Sequence, residues 1–145
     1  MPVMVSPTGL GFRSDPGGDG HYGARRRRGD KVYAHTGVDW SCVAGQEVVA
    51  PHHGTIIRHA RPYAADLSYN GVLLEGTLIT SKLFYLLTQE DLIGQDVRQG
   101  MVIGIAQAIS EKYPDSGVTD HVHQEIVRCD PMLLMEVLHG RGDTA

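Results

Sequence analysis

Along most of the chain, apolar residues fall in short runs broken by glycine, proline and Asp/Asn/Ser clusters. That spacing predicts short strands rather than long helices. The strand candidates are Gly45–Ala50, Gly54–Ala60, Gly71–Glu75, Ser81–Leu87, Met101–Ala106 and His121–Val127. No helical segments separate them as βαβ units would require, so antiparallel meanders fit better. The expected fold class is mainly β: an antiparallel β-sheet domain with long loops and one short C-terminal helix. That helix starts at Asp130, whose carboxylate can accept from the first free amides, with Pro131 preset for the first helical position. Leu134, Val137 and Leu138 share a face by their spacing, and Gly140 can end the element.

Residues 1–31 read as a loop-rich N-terminal arm held against the core. Pro7, Gly9, Gly11 and the run Asp15–Gly20 supply its turn chemistry. Arg25–Arg28 closes it, read first as a solvated loop and second as a patch for phosphate or sulfated glycan. Arg61–Asn70 reads as an exposed loop or a short helical excursion, and Ser110–Thr119 as a second long loop. Residues 1–145 are expected to form a single domain, because two cores rarely fit below about 150 residues.

Composition narrows the function classes. The chain is 41% hydrophobic, enough for a packed core, and carries a net charge of −4, which argues against a general nucleic-acid binder. No apolar stretch approaches roughly 18 residues, so membrane insertion is not expected. The opening Met1–Pro7 is too short and too proline-broken for a signal-peptide core. Two cysteines, Cys42 and Cys129, can form at most one bridge.

The chemistry concentrates in two motifs. His35-Thr36-Gly37-Val38-Asp39 sets an imidazole and a carboxylate four residues apart, and His121-Val122-His123 sets two imidazoles two apart. Even separations in extended chain share a face, and Gly37 lets the backbone bend so that His35 and Asp39 can converge. Imidazole nitrogen and carboxylate oxygen suit Zn²⁺, and two histidines with one aspartate leave a coordination position open. Either motif alone is weak, since His-X-His often decorates a strand and His-x-x-x-Asp arises by chance. Together they make a metal site the leading reading.

These residues, with Gly45–Pro51 and Gly54-Thr55-Ile56, resemble the lysostaphin-type zinc endopeptidases, which cut glycine-rich cross-bridges of bacterial cell walls on an antiparallel β fold. The resemblance implies His35, Asp39 and His123 as zinc ligands, and His121 as an imidazole facing the metal's water without ligating. A closer resemblance is to the non-enzymatic family of leukocyte cell-derived chemotaxin 2 and the avian myeloid protein. It is carried in order by Gly20–Ala24, His35–Asp39 with Cys42, Arg61–Tyr63, Asn70–Val72, Lys82–Tyr85, Lys112–Pro114, His121–His123 and Asp130-Pro131.

The chain departs from these families in two places. The active peptidases carry a further histidine in a Tyr-X-His-Leu segment. Phe84-Tyr85-Leu86-Leu87 occupies that stretch here, with Leu86 at the imidazole's place. Losing one such donor typically costs about 10²–10³ in turnover. The chemotaxin family also lacks it, so the resemblance implies a zinc-binding, catalytically inactive binding or signalling factor with a protein or receptor partner. The alternative is an active zinc metalloendopeptidase on glycine-rich peptides, with His121 as its catalytic helper. A third reading is a structural domain whose histidines never meet a metal. The second departure is in the cysteines: the family resembles a secreted domain with three disulfides. Cys42 and Cys129 match members of different pairs; their partner positions fall near Val3 and at Thr80, and Ser14 and Asp19 sit where another bridge would lie. Both are expected to stay thiols, so a secreted location, implied by resemblance, competes with an intracellular one.

The remaining candidates have plainer readings. His52 and His53 are expected as exposed turn polars, with an accessory metal or groove role second. His21 is expected to pack near the site, His59 and His139 to be surface residues, and Trp40 to lie on the face opposite Asp39. Arg28-Gly29-Asp30 and Arg141-Gly142-Asp143 read as chance tripeptides, and Glu90, Asp91 and Glu125 as unpaired carboxylates.

Overall fold

The structure, a computed structural model, describes residues 3–135. The first strands are β1 (Ser14–Asp15), β2 (Gly18–Asp19), β3 (Arg25–Arg28), β4 (Lys31–Ala34) and β5 (Val38–Ser41). Then come β6 (Glu47–Val49), β7 (Gly54–Ala60), β8 (Gly71–Glu75), β9 (Ile79–Phe84) and β10 (Leu86–Leu87). The last are β11 (Asp96–Val97), β12 (Val102–Ala106) and β13 (His121–Cys129). Single 3₁₀ turns lie at Glu90–Leu92, Ile109–Lys112 and Pro131–Leu134. A six-stranded antiparallel sheet runs β11-β7-β8-β9-β13-β5, and a three-stranded sheet runs β10-β12-β6.

Alternation builds the core. In β8, Val72 and Leu74 turn inward and are fully buried; in β9 Leu83 does the same, and in β13 Val122. They meet Val48, Leu86, Ile103 and Ala106 of the smaller sheet in one apolar cluster. At Gly71 β8 runs so close to β9 that a Cβ would overlap the Leu83 carbonyl, which is why glycine opens that strand.

The N-terminal arm is sewn to the edge strand β5. Arg13 N donates to Asp39 O, Asp39 N to Gly20 O, and Ser41 N to Gly11 O, each at 2.8–2.9 Å. Those bonds cover backbone that would otherwise be an open sheet edge. The arm differs from the expected loop at Arg25–Arg28, which is a strand, paired residue for residue with Lys31–Ala34. A two-residue turn at Gly29-Asp30 joins them, with Gly29 at φ 60°, so the first Arg-Gly-Asp tripeptide sits at a hairpin tip.

Other differences have local causes. The expected Ser81–Leu87 strand begins at Ile79 and breaks at Tyr85, where φ is 74°. Asp130 caps as expected, its side chain accepting from Met132 N with Pro131 behind it, but the described turn is 3₁₀ and ends at Leu134. Val137, Leu138, His139, Gly140 and the second Arg-Gly-Asp lie outside the described residues. His59 is not a lone surface imidazole: its Nε2 is 2.6 Å from Glu90 Oε1. Cys42 and Cys129 are both free thiols. Burial, then Asp120, pushes the Cys42 thiol up to about 12, while Cys129 is exposed.

His52 is a correction. It is 4% exposed rather than a solvated turn residue, because its Nε2 meets Ser81 Oγ at 2.8 Å and its Nδ1 meets the His53 carbonyl at 2.8 Å. Gln124 continues the chain, donating to Ser81 Oγ and accepting from Trp40 Nε1 at 2.9 Å. Burial pushes the His52 pKa below the ordinary histidine value, partly opposed by the bond to His53. The unfolded chain therefore takes up a proton at a higher pH than the native state does, and stability falls as pH drops below about 6.5. Urea unfolding at pH 7.5, 6.5 and 5.5 is expected to show that loss, and His52→Gln to shrink it. Equal pH slopes for the two proteins would rule the linkage out.

Candidate metal centre

Strand pairing brings the two motifs together. On β13, His121 and His123 point to the face opposite Val122 and Gln124, as the even spacing requires. His123 lies directly across from Asp39 of β5 on one side and from Phe84 of β9 on the other, so the three form one row. Phe84 stacks on the His123 ring at 5.7 Å. Trp40 turns away from Asp39, as expected. Gly37 lets the His35–Asp39 turn pass over His123; a Cβ there would fall 2.7 Å from that ring.

The polar atoms converge tightly. His35 Nε2 is 3.2 Å from His123 Nδ1 and 3.3 Å from Asp39 Oδ1, and His123 Nδ1 is 2.9 Å from Asp39 Oδ1. Nδ1 of His35 is 3.1 Å from the His21 carbonyl, which accounts for His21 near the site through its backbone. His121 Nδ1 bonds the Thr119 carbonyl at 2.8 Å, leaving Nε2 aimed at Asp39 Oδ1 from 3.8 Å. Glu125, expected to be unpaired, accepts from Thr36 Oγ1 at 3.2 Å.

Asp39 is 2% exposed and divides its oxygens. Oδ1 faces the histidines, while Oδ2 takes Arg13 Nε at 2.9 Å and Arg26 Nη2 at 3.1 Å. Burial opposes its charge, but hydrogen bonds from His123 and His35 and attraction to His121 outweigh this and hold the carboxyl far below its usual range. Burial drives the His121 pKa down despite Asp39, which keeps that imidazole neutral and able to accept a proton at neutral pH.

The other wall of the cleft is aromatic. Tyr85 sets its ring edge-to-face on His121 at 5.3 Å, and its hydroxyl is 3.1 Å from Tyr63 Oη, which in turn accepts from Tyr113 at 2.9 Å. Burial raises the Tyr63 and Tyr85 phenols above their ordinary value, so both stay protonated. Leu86 does not reach the cleft. It is fully buried in the core and pairs with Ala106 of β12, and the left-handed turn at Tyr85 presents a phenol beside His121 instead.

Sequence reading missed Arg13, Arg26 and Tyr85. A buried aspartate among histidines calls for a cation, but ten arginines were on offer and nothing local chose between them. The choice is made by the backbone ladder from Arg13 to Asp39. Tyr85 gave no signal, because a left-handed tyrosine has no local signature.

No protein-family model matches the chain. Solved structures do. The catalytic domain of the antimicrobial peptidase lysostaphin from Staphylococcus simulans superposes with a TM-score of 0.52 and 20% identity, over 79% of this chain and 89% of that one. The fold is that of the lysostaphin-type peptidases. A peptidase M23 protein from Pseudomonas aeruginosa matches 90% of this chain with a TM-score of 0.56 and 21% identity. A zinc-containing peptidase from Vibrio cholerae matches 85% with a TM-score of 0.53 and 20% identity. This chain spans 49% of the length of the Pseudomonas protein and 37% of that of the Vibrio protein. Among the described residues no helix is long and apolar enough to cross a membrane.

Proposed function

We propose that this chain, acting as one domain over residues 1–145, binds one zinc ion through His35, Asp39 and His123. In this reading it is a binding or signalling protein for a protein partner, without efficient peptidase turnover. One observation carries the metal. Zinc held tetrahedrally by bonds of about 2.0–2.1 Å keeps its ligand atoms roughly 3.3 Å apart. The three atoms here already stand 2.9, 3.2 and 3.3 Å apart. The outer bonds fit as well, since His35 and Asp39 have partners that leave one atom each for the ion.

When bound, zinc would supply Lewis acidity. The chain's own groups supply the rest: His121 offers a neutral proton acceptor, and Arg13 and Arg26 fix Asp39. Leu86, at the place of the peptidases' further histidine, is in the core and supplies no imidazole beside His121. The chemotaxin-like reading rests on that absence and on the ordered segments shared with that family. A weak peptidase is the second reading, favoured by the Tyr85 phenol beside His121, which can donate to a developing oxyanion.

Metal analysis of protein purified without chelator is expected to give one zinc per chain, and none in His35→Ala or His123→Ala. Zinc at a hundredfold excess over its Kd should add about 2.7 kcal/mol of stability. For a chain of this size that raises the melting temperature by about 5–10 °C. Absent zinc and an unmoved melting temperature would leave the histidines purely structural. Chelator-sensitive cleavage of a glycine-rich peptide, lost in His121→Ala, would make the chain an enzyme.

A further inference from the structure

We infer that the cleft above the candidate metal centre is built for a peptide carrying carboxylates, which the unpaired arginines of β3 grip. The cleft encloses about 570 Å³, within the usual range for a ligand site. Four arginines line it, Arg13, Arg26, Arg27 and Arg28, against one acidic residue, Asp39. Arg13 and Arg26 are consumed by Asp39, and Arg13 also by Asp15 at 2.8 Å. The Arg27 and Arg28 side chains have no hydrogen-bond or ion-pair partner among the described residues, although the chain as a whole is acidic. The ladder with β4 fixes their backbone at the rim of the concave site, which leaves two unpaired cations available to a ligand there. Guanidinium forks match planar carboxylates in two parallel bonds, which is geometric selection that lysines would not give.

The opposite wall favours a peptide over a glycan or a nucleic acid. Sugars and bases bind such walls by stacking on open aromatic faces. Here Lys112 Nζ sits 4.4 Å over the Tyr63 ring, and Phe84 is stacked on His123. The Tyr85, Tyr63 and Tyr113 hydroxyls form a bonded row along that wall, polar groups suited to peptide amides. Because the ligand lies over the metal cluster, the inference deepens the proposed binding function and rests on it, while its charge preference comes from β3 alone.

The test is fluorescence anisotropy with a labelled glycine-rich peptide bearing two glutamates, its two-glutamine counterpart, and C-terminally amidated versions of both. The glutamate peptide should bind about tenfold tighter or more at low ionic strength, and salt should erode the difference. Loss of affinity on amidation alone would place the chain-end carboxylate on the forks and support the inference too. Arg27→Gln/Arg28→Gln should keep the wild-type melting temperature, since both side chains lack partners, and lose the preference for glutamate. Equal binding of the glutamate and glutamine peptides together with no loss on amidation, or an undiminished preference in that variant, would overturn the inference. Displacement by a sulfated oligosaccharide at lower concentration than the glutamate peptide would overturn it in favour of a glycan. Zinc content is measured on the same samples. A zinc-free protein that still prefers glutamate would sustain the arginine wall while removing the metal.

Discussion

Asp39→Ala is expected to cost about 3–5 kcal/mol of folding stability even in protein stripped of metal, because it leaves buried cations without their counter-charge. The carboxylate is 2% exposed and Arg13 5% exposed, so water cannot replace what is lost. Arg13 would keep Asp15, which softens its own loss, whereas among the described residues Arg26 has only Asp39 as an acidic partner. Urea unfolding of chelated wild type, Asp39→Ala and Asp39→Asn separates the contributions. Asparagine can still accept one of these bonds, so it should fall between the other two. A loss below about 1 kcal/mol for alanine would mean that the pair is no more than a surface contact. The same carboxylate also makes an acid-sensitivity prediction. Its folded pKa is depressed, so its contribution is complete above the ordinary aspartate value of about 4 and drains away as pH falls below it.

Leu86→His is the second large effect, and its direction separates sequence from structure. By its place in the sequence, it restores the histidine of the peptidase segment and ought to raise activity. In the fold, Leu86 is fully buried among Leu83, Ile103 and Ala106. Imidazole there loses apolar packing worth about 2–5 kcal/mol, as in large-to-small core changes, and adds a polar group without a partner. The expected result is a protein with a much lower melting temperature and no gain in cleavage of glycine-rich peptides. A stable Leu86→His protein with new, chelator-sensitive cleavage would show that β10 can turn its side chain out to the cleft. Tyr85→Gly makes a useful companion, since it relieves the left-handed backbone while deleting the phenol.

The sequence carried some of this plainly. Gly54–Ala60 and Gly71–Glu75 lie where the sequence pattern placed them, because each is a short run opened by glycine and followed by turn residues. The His-X-His pair shares a face through side-chain parity in extended chain, and His35 reaches Asp39 through the bend that Gly37 permits. Three features were not legible, for one shared reason: distant partners decide them. The Arg25–Arg28 run has the composition of a loop, yet a following hairpin partner and the Asp39 carboxylate make it a strand. His52 is polar and sits in a turn, and its second ring nitrogen finds a partner only in Ser81, 29 residues on. The break at Tyr85 is fixed where β9 of the large sheet passes into β10 of the small one.

The divided carboxylate of Asp39 has a consequence for denticity. With Oδ2 clamped by two guanidiniums, the group cannot swing to chelate an ion through both oxygens. Any cation seated there would take a single bond from it, and the protein's donor set would stop at three. The open position created by that restraint is where an outside molecule can dock, so the arginines that immobilise the carboxylate also keep the centre receptive.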